Sequence, residues 1–243
     1  MKLKLKLALT ALALGALAAG SMAFSVQFMG TGPGRTVKVT LAGNPSIQNR
    51  AFFAGVLNFT VFGSPVEAFC ADITRTLSTT APSNVFNVDV YSTNSPVLID
   101  SDAVPSAGQV PVASGTAAGV QLAGRYVAAL WSTAVTAPGT AAQLNDRAAA
   151  LQLVVWSAVY GSAFSVNSFG NANVQSLFNS YWATPLTNVG SEYWLPNPLG
   201  NVQAQITFNP NGGEGDPVPE PFTMGLVGAA ALAALKRRRA KKA

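Results

Sequence analysis

The segment Ala141–Tyr160 reads AAQLNDRAAALQLVVWSAVY, and its apolar residues recur at helical spacing. One stripe of this predicted helix carries Gln152 between apolar neighbours, and the opposite side is apolar as well, which predicts a helix buried nearly all round. A buried amide without hydrogen-bond partners costs about 1 to 3 kcal/mol. Another part of the fold must therefore satisfy the Gln152 amide or consume it in a reaction.

Two further segments, residues 118–135 and the shorter 173–182, have helical patterns. Strand-like runs rich in Val, Phe and Thr precede the helices, and one more follows them: 36–41, 51–62, 66–71, 85–91 and 202–208. This order predicts the α+β class, with an antiparallel sheet or sandwich and an inserted bundle of two to three helices.

The N-terminus has the pattern of a secretory signal peptide. Lys2, Lys4 and Lys6 precede an almost wholly apolar run over residues 7–19, and small residues follow where a signal peptidase would cut. We expect cleavage after Ala23. The glycine-rich stretch 30–34 is not followed by a helical pattern, so it predicts a linker after the signal rather than a phosphate-binding loop.

The C-terminus has three parts in a fixed order. Pro219, Glu220 and Pro221 are followed by an uncharged apolar run over residues 222–235 and then by six Lys and Arg residues. This tail resembles the PEP-CTERM sorting signal of exported bacterial proteins. The resemblance implies transient membrane insertion as a transmembrane-type helix and processing by an exosortase near Pro219–Pro221.

The apolar run has 14 residues, whereas a full membrane span takes about 20. Flanking Lys and Arg side chains can reach the interface and cover the deficit. The other interpretation is a buried terminal helix with a solvated basic end. The chain thus divides into a signal peptide (1–23), a globular domain (24–209), a linker (210–218) and the sorting signal (219–243).

The charge of the body differs from that of the whole chain. Nine of the 15 basic residues and one of the ten acidic residues, Glu220, lie in the two targeting segments, which leaves six basic against nine acidic residues, a difference of minus three. Nucleic-acid binding needs a clustered basic face on the folded part, so we expect no nucleic-acid partner.

The chain contains no histidine and one cysteine, Cys70. Ser-His-Asp and Cys-His catalysis and His-ligated zinc are therefore impossible, and we expect neither a metal site nor a cofactor. An exported hydrolase is a distant possibility for the same reason. A single cysteine also excludes an intramolecular disulfide, so Cys70 needs another explanation.

Two segments bear on that explanation, Phe69-Cys70-Ala71-Asp72 and Leu151–Trp156. They resemble the motifs of bacterial thioester domains of surface adhesins, in which an aromatic residue precedes a cysteine and a glutamine is followed at a fixed spacing by an apolar residue and tryptophan. The resemblance implies an intramolecular thioester between Cys70 and Gln152. Such a bond lasts only where water is kept out, so we expect Phe69, Trp156 and Tyr160 to form a dry wall around it, with Asp72 as a further residue of the site.

Such a thioester would be used once, by acyl transfer to an amine or hydroxyl on a partner surface. The protein would then be a covalent binder of the cell surface, envelope or extracellular matrix and not an enzyme with turnover. Asp72, Tyr126 and backbone amides are the candidates for the proton acceptor and oxyanion donor. The alternative is a non-reactive structural component of extracellular polymer or envelope with a buried free thiol; an intermolecular disulfide through Cys70 is a third possibility.

Overall fold

The computed structural model describes residues 23–80, 84–187, 189–198 and 202–208. The strands are β1 (Ala23–Leu41), β2 (Arg50–Val61), β3 (Ser64–Cys70), β4 (Val85–Ser92), β5 (Leu98–Ile99), β6 (Val110–Pro111), β7 (Phe164–Ser168), β8 (Glu192–Pro196) and β9 (Gln205–Thr207). The helices are α1 (Ala117–Trp131), α2 (Ala141–Tyr160) and α3 (Ala172–Trp182). The described part of the chain is therefore mixed α+β, with three α-helices inserted among antiparallel strands.

The main sheet closes on itself. Its strand order is β2-β3-β9-β8-β4-β1-β7, and β1 also pairs with β2, so six strands form a ring to which β7 is added. All pairs in this ring are antiparallel. The predicted antiparallel sheet is confirmed, and it is one closed sheet instead of the two facing sheets of a sandwich.

Strand β1 is long because two different strands, β4 and β7, pair with it along the same edge. Its first residues pair with β4 and its last with β7, while β2 pairs along both halves. The prediction of a linker at residues 30–34 is wrong, because this stretch lies within β1 at two register shifts. A Cβ on Gly34 would lie 2.4 Å from the Ala54 carbonyl oxygen, so glycine permits the close approach of the strands, and Pro33 is tolerated at the irregularity.

Helix α2 is the central helix of the fold. Thr140 and Gln143 form a capping box at its start, which satisfies two backbone N–H groups that the first turn leaves open. Twelve of its 20 residues are buried, including all of 148–156. It packs against β1, β2 and β3 and against both other helices, as its apolar circumference predicts.

The predicted helices are present with small differences. Helix α1 begins one residue early and ends at Trp131, where a π-helical turn, Ser132–Thr136, completes the predicted segment. Of the predicted strand 202–208, only Gln205–Thr207 lies in the sheet, while Val202 forms an isolated bridge with Thr76. Strands β5 to β8 were not predicted from the sequence.

Apart from Ala23, the first residue of β1, the signal peptide falls outside the described residues, as do the linker 210–218 and the sorting signal. Within the part that the structure describes, no helix is long and apolar enough to cross a membrane.

Candidate functional site

Cys70 is the last residue of β3, at a point where the sheet changes partners. On one side it lies opposite Gln205 of β9, and the next residue, Ala71, donates its N–H to the Ala204 carbonyl at 2.9 Å. Backbone hydrogen bonds alternate along an antiparallel pair, so the N–H and C=O of Cys70 point away from β9. On the other side the pairing of β2 with β3 ends at Ala68. Within the described part of the chain, no strand therefore satisfies the two peptide groups of Cys70.

The side chain of Gln152 occupies this position. The Cys70 N–H donates to Gln152 Oε1 at 2.9 Å, and Gln152 Nε2 donates to the Cys70 carbonyl oxygen at 2.8 Å. Both residues are buried, with 4% and 1% of their surfaces exposed. The amide acts as a substitute strand neighbour, 82 positions away in sequence, and this contact provides the partner that the buried Gln152 requires.

The sulfur of Cys70 lies in a dry environment. Burial and the negative charge of Asp72 raise the pKa of the thiol to about 12, against smaller lowering effects of the Trp156 indole N–H and the Asp72 backbone N–H. The indole N–H of Trp156 makes no hydrogen bond of normal geometry among the described residues. It therefore lowers the pKa of the thiol as a polar contact at longer range. Cys70 is thus a protonated thiol at neutral pH.

Asp72 is fully buried and its carboxylate is occupied. One oxygen accepts the Thr74 N–H at 2.9 Å, and the other forms an ion pair with the Arg75 guanidinium, which also donates to the Ala113 carbonyl oxygen. These donors occupy both oxygens, and the negative charge of Asp72 raises the pKa of the Cys70 thiol. Its effect on the thiol is therefore electrostatic.

The hydroxyl of Tyr160 borders this cluster. It accepts the Ile73 N–H at 3.0 Å, lies 2.7 Å from Ser114 Oγ and donates to Asp72 Oδ1 at 3.4 Å. Burial, followed by the charge of Asp72, raises the pKa of this phenol above its ordinary range, so it stays neutral.

Aromatic side chains enclose the site. Phe69 is fully buried and meets Trp131 edge to face at 6.1 Å between ring centroids. Trp156 is 1% exposed and packs edge to face against Phe52 and at a tilt against Phe164. Both rings are buried in the same core, and Trp156 is the one whose indole N–H also acts on the Cys70 thiol.

The structure brings Cys70, Gln152, Asp72 and Trp156 together, with Phe69 on the adjacent wall. Tyr126, one of the three candidates for proton transfer, is engaged elsewhere: its hydroxyl donates to the Trp182 carbonyl oxygen at 2.8 Å. The processing residues Pro219, Glu220 and Pro221 lie outside the described residues.

Sequence reasoning did not single out Gln205, although it lies directly opposite Cys70 and is fully buried. The only signal available was the alternation of polar and apolar residues over 202–208, and it does not show which face is buried. A surface groove of about 420 Å³ runs between α2 and α3, and neither Cys70 nor Gln152 lines it.

Comparison of the chain with protein-family models, with curated protein sequences and with solved structures returned no match.

Proposed function

We propose that this is an exported surface or matrix protein that stores an internal thioester between Cys70 Sγ and the side-chain carbonyl carbon of Gln152. The observation that carries the proposal is the reciprocal pair of hydrogen bonds between the Gln152 amide and the Cys70 peptide groups, inside a water-excluded core. This pairing holds the amide at the residue that bears the only thiol of the chain.

The same contacts support the chemistry of bond formation. When the sulfur attacks the carbonyl carbon, negative charge develops on Gln152 Oε1, which already accepts the Cys70 N–H. A preorganised donor of this kind stabilises the oxyanion. The S–C bond forms, the C–N bond breaks, and the thiol proton leaves with the nitrogen as ammonia. The departing nitrogen is the acceptor of that proton, so the step balances without an added general base.

The stored bond would then be spent on a partner. Loss of Nε2 leaves the Cys70 carbonyl oxygen without its donor, and a primary amine restores one when it becomes an amide at Gln152. A hydroxyl nucleophile yields an ester, which has no N–H to offer. A buried acceptor left unpaired costs about 1 to 3 kcal/mol, so the site favours an amine over a hydroxyl.

The alternative is a non-reactive structural protein, and one observation favours it. In the described structure the Gln152 amide is satisfied by backbone groups, as it would be if its only task were to fix α2 to the end of β3. In that case the thiol remains a buried apolar group.

Intact mass spectrometry of the purified body separates the two. The thioester lowers the mass by one ammonia, and the deficit disappears in Cys70→Ala and in Gln152→Ala. Methylamine should add once, at Gln152, and release one titratable thiol. An unmodified mass together with a titratable thiol in freshly folded protein contradicts the proposal and leaves the structural role.

Export and C-terminal processing of the protein are part of the same proposal. The signal peptide and the PEP-CTERM-like tail support secretion, transient membrane insertion and exosortase processing at Pro219–Pro221. Expression in a host with and without an exosortase, followed by C-terminal peptide mapping, tests this step independently of the thioester.

A further inference from the structure

The turn between β2 and β3 presents a large aromatic side chain to solvent in an unfavourable backbone conformation. Phe62 is 84% exposed, and its φ of +50° is followed by +82° at Gly63. Val61 and Ser64 pair on either side, so the loop has two residues. Loops of this type favour Asn, Asp or Gly at the first position, and a bulky side chain with positive φ is an outlier. Such strain at an exposed position indicates a task outside the fold.

The surface around this turn is aromatic and uncharged. The ring centroid of Phe62 lies 5.8 Å from that of Phe24, which is the second residue of β1 and meets Trp194 edge to face. Residues 23–27 and 61–66 include no charged side chain. We call Phe24, Phe62 and Gly63 the aromatic tip. An exposed apolar surface of this kind is typical of a contact with a partner or a membrane.

The described chain enters and leaves the sheet at the end that carries the aromatic tip. Strand β1 starts there, since Phe24 belongs to the tip. Strand β9 is antiparallel to β3 and runs back toward the turn, and Thr207 Oγ1 donates to the Glu67 carbonyl oxygen. The described part ends one residue later, four residues of β3 from Gly63, or about 13 Å of strand.

We propose that the aromatic tip docks into the surface of an electrically neutral phospholipid membrane. The proposal rests on the membrane insertion of the tail in the proposed function and is independent of the thioester. Ten residues, 209–218, separate the end of the sheet from the sorting signal, and a chain of this length reaches at most about 35 Å. An inserted tail therefore keeps the end of β9 near the bilayer, where burial of aromatic rings in the interface is favourable.

The charges at this end of the sheet determine the class of lipid. By register, Asp89 lies opposite Ala23 and Glu192 lies opposite Thr207, so acidic side chains flank the tip. An anionic membrane surface attracts basic segments and would repel these carboxylates. The basic residues of β1 and β2 lie in the halves of these strands that are far from the tip: Arg35, Lys38 and Arg50.

Fluorescence of a label beside the tip tests the docking. The full chain carries Cys70→Ala, and Ser64→Cys at the exposed start of β3 is labelled with the environment-sensitive fluorophore NBD. With phosphatidylcholine vesicles we expect its emission to shift to shorter wavelength, because the label enters the membrane interface. Ser46→Cys in the same background is the matched control, since Ser46 is exposed in the loop at the opposite end of β1 and β2. Equal shifts at the two positions overturn the inference.

Variants at position 62 assign the shift to the aromatic ring. Phe62→Trp keeps an aromatic side chain and should keep the shift of the label at position 64, whereas Phe62→Asn should lose it. A shift that persists in Phe62→Asn contradicts docking through the ring. The same emission shift without vesicles overturns the inference as well, because it assigns the tip to contact with a second copy of the chain.

Urea unfolding without vesicles tests whether the ring is kept at a cost to the fold. Asparagine accepts a positive φ, so Phe62→Asn should have a higher urea midpoint than wild type. A lower midpoint would mean that Phe62 is retained for its packing on Phe24, and the inference would then be wrong.

Flotation of the full chain with vesicles reports insertion of the tail separately. If the chain does not float, the membrane insertion in the proposed function fails. A C-terminal hexahistidine tag on nickel-chelating lipid then supplies the tether, and the comparison of labels at positions 64 and 46 still decides whether the tip docks.

Discussion

At the scale of single residues, Gln152 does for Cys70 what a neighbouring strand does for other residues of β3. Its amide supplies one acceptor and one donor at 2.9 and 2.8 Å, which is the pattern of a peptide group. A glutamine is long enough to deliver this pair from a helix that packs on the sheet. The contact therefore has a structural role, and its contribution to the free energy of unfolding can be measured separately from the proposed acylation.

The structural contribution is accessible in a background without the thiol. We expect Cys70→Ala/Gln152→Ala to be less stable than Cys70→Ala by about 3 kcal/mol, because the N–H and C=O of residue 70 lose their partners inside the core. Urea denaturation of both proteins measures the difference. Gln175→Ala in the same background is the control, since Gln175 is exposed on α3. A loss of stability below about 1 kcal/mol in the double variant, close to the effect of a surface substitution, would contradict the role of Gln152 as a substitute for a neighbouring strand.

The sequence predicted the members of this site better than their arrangement. Cys70 and Gln152 stood out because one is the only thiol and the other is an amide in an apolar helix. Which atoms of Cys70 meet the amide depends on where the hairpin pairing of β2 with β3 ends, at Leu57 and Ala68, and on the register of β3 against the distant strand β9. Local sequence patterns carry no information about it.

At the scale of elements, the pair of β1 and β2 forms the wall against which α2 packs. Gly34 lies opposite Gly55 at a register shift, and the Gly34 N–H donates to Asn145 Oδ1 of α2 at 3.1 Å. The irregularity in β1 thus also anchors the central helix. A linker was predicted here because glycine and proline usually interrupt strands; the long-range pairing of β1 overrides that tendency.

Gly34→Ala should be strongly destabilising. The added Cβ would lie 2.4 Å from the Ala54 carbonyl oxygen, a backbone atom that cannot move without shifting β2, and overpacking of this kind costs about 3 kcal/mol. Gly43→Ala is the control: its φ of +81° disfavours alanine, but no atom lies within 4 Å, so we expect a cost of about 1 kcal/mol. Thermal or urea unfolding of both variants provides the comparison, and equal losses would show that β1 and β2 are not closely apposed at Gly34.

At the scale of the whole molecule, Asp146 joins three elements. It accepts hydrogen bonds from Arg35 of β1 at 2.8 Å and from Asn171 and Asn173 at the start of α3, while it belongs to α2 itself. Burial alone would raise the pKa of this carboxyl, but the hydrogen bonds from Asn171, Arg35 and Asn173 and the charge of Arg35 lower it overall. Its ionised form is therefore part of the folded state.

The consequence is a defined acid dependence. The pKa is lower in the folded than in the unfolded chain, so this carboxyl stabilises the fold above its unfolded value of about 3.9, and the contribution is lost as pH falls through the folded-state value. Asp146→Asn should be less stable than wild type at neutral pH, with the gap narrowing as the solution is acidified. Urea midpoints measured from neutral to acidic pH test this.

Asp102→Asn is the control for the acid series, because Asp102 is exposed in a loop. Its stability curve should run parallel to that of wild type. A constant gap between Asp146→Asn and wild type at every pH would mean that the charge of Asp146 does not stabilise the fold.

The class of the fold was predictable because helical and strand patterns were long and strongly periodic, as in α2 and β2. The closure of the sheet could not be predicted from the sequence, since β8 and β9 are only five and three residues long. Such short apolar runs give weak signals. Strand β9 supplies Gln205, which lies opposite Cys70.

The site also depends on the alternation of side-chain and peptide-group directions along β3. Cys70 faces Gln205 and turns its peptide groups toward Gln152 only because Ala71 is the residue bonded to Ala204. Inserting one residue in β3 before Cys70 would reverse the direction of its side chain and of its peptide groups. The thiol would then lie on the other face of the sheet, and the Cys70 N–H and C=O would point toward β9. Insertions and deletions of a single position should thus abolish the proposed acylation where many substitutions spare it, and a change of two positions should be less harmful than a change of one.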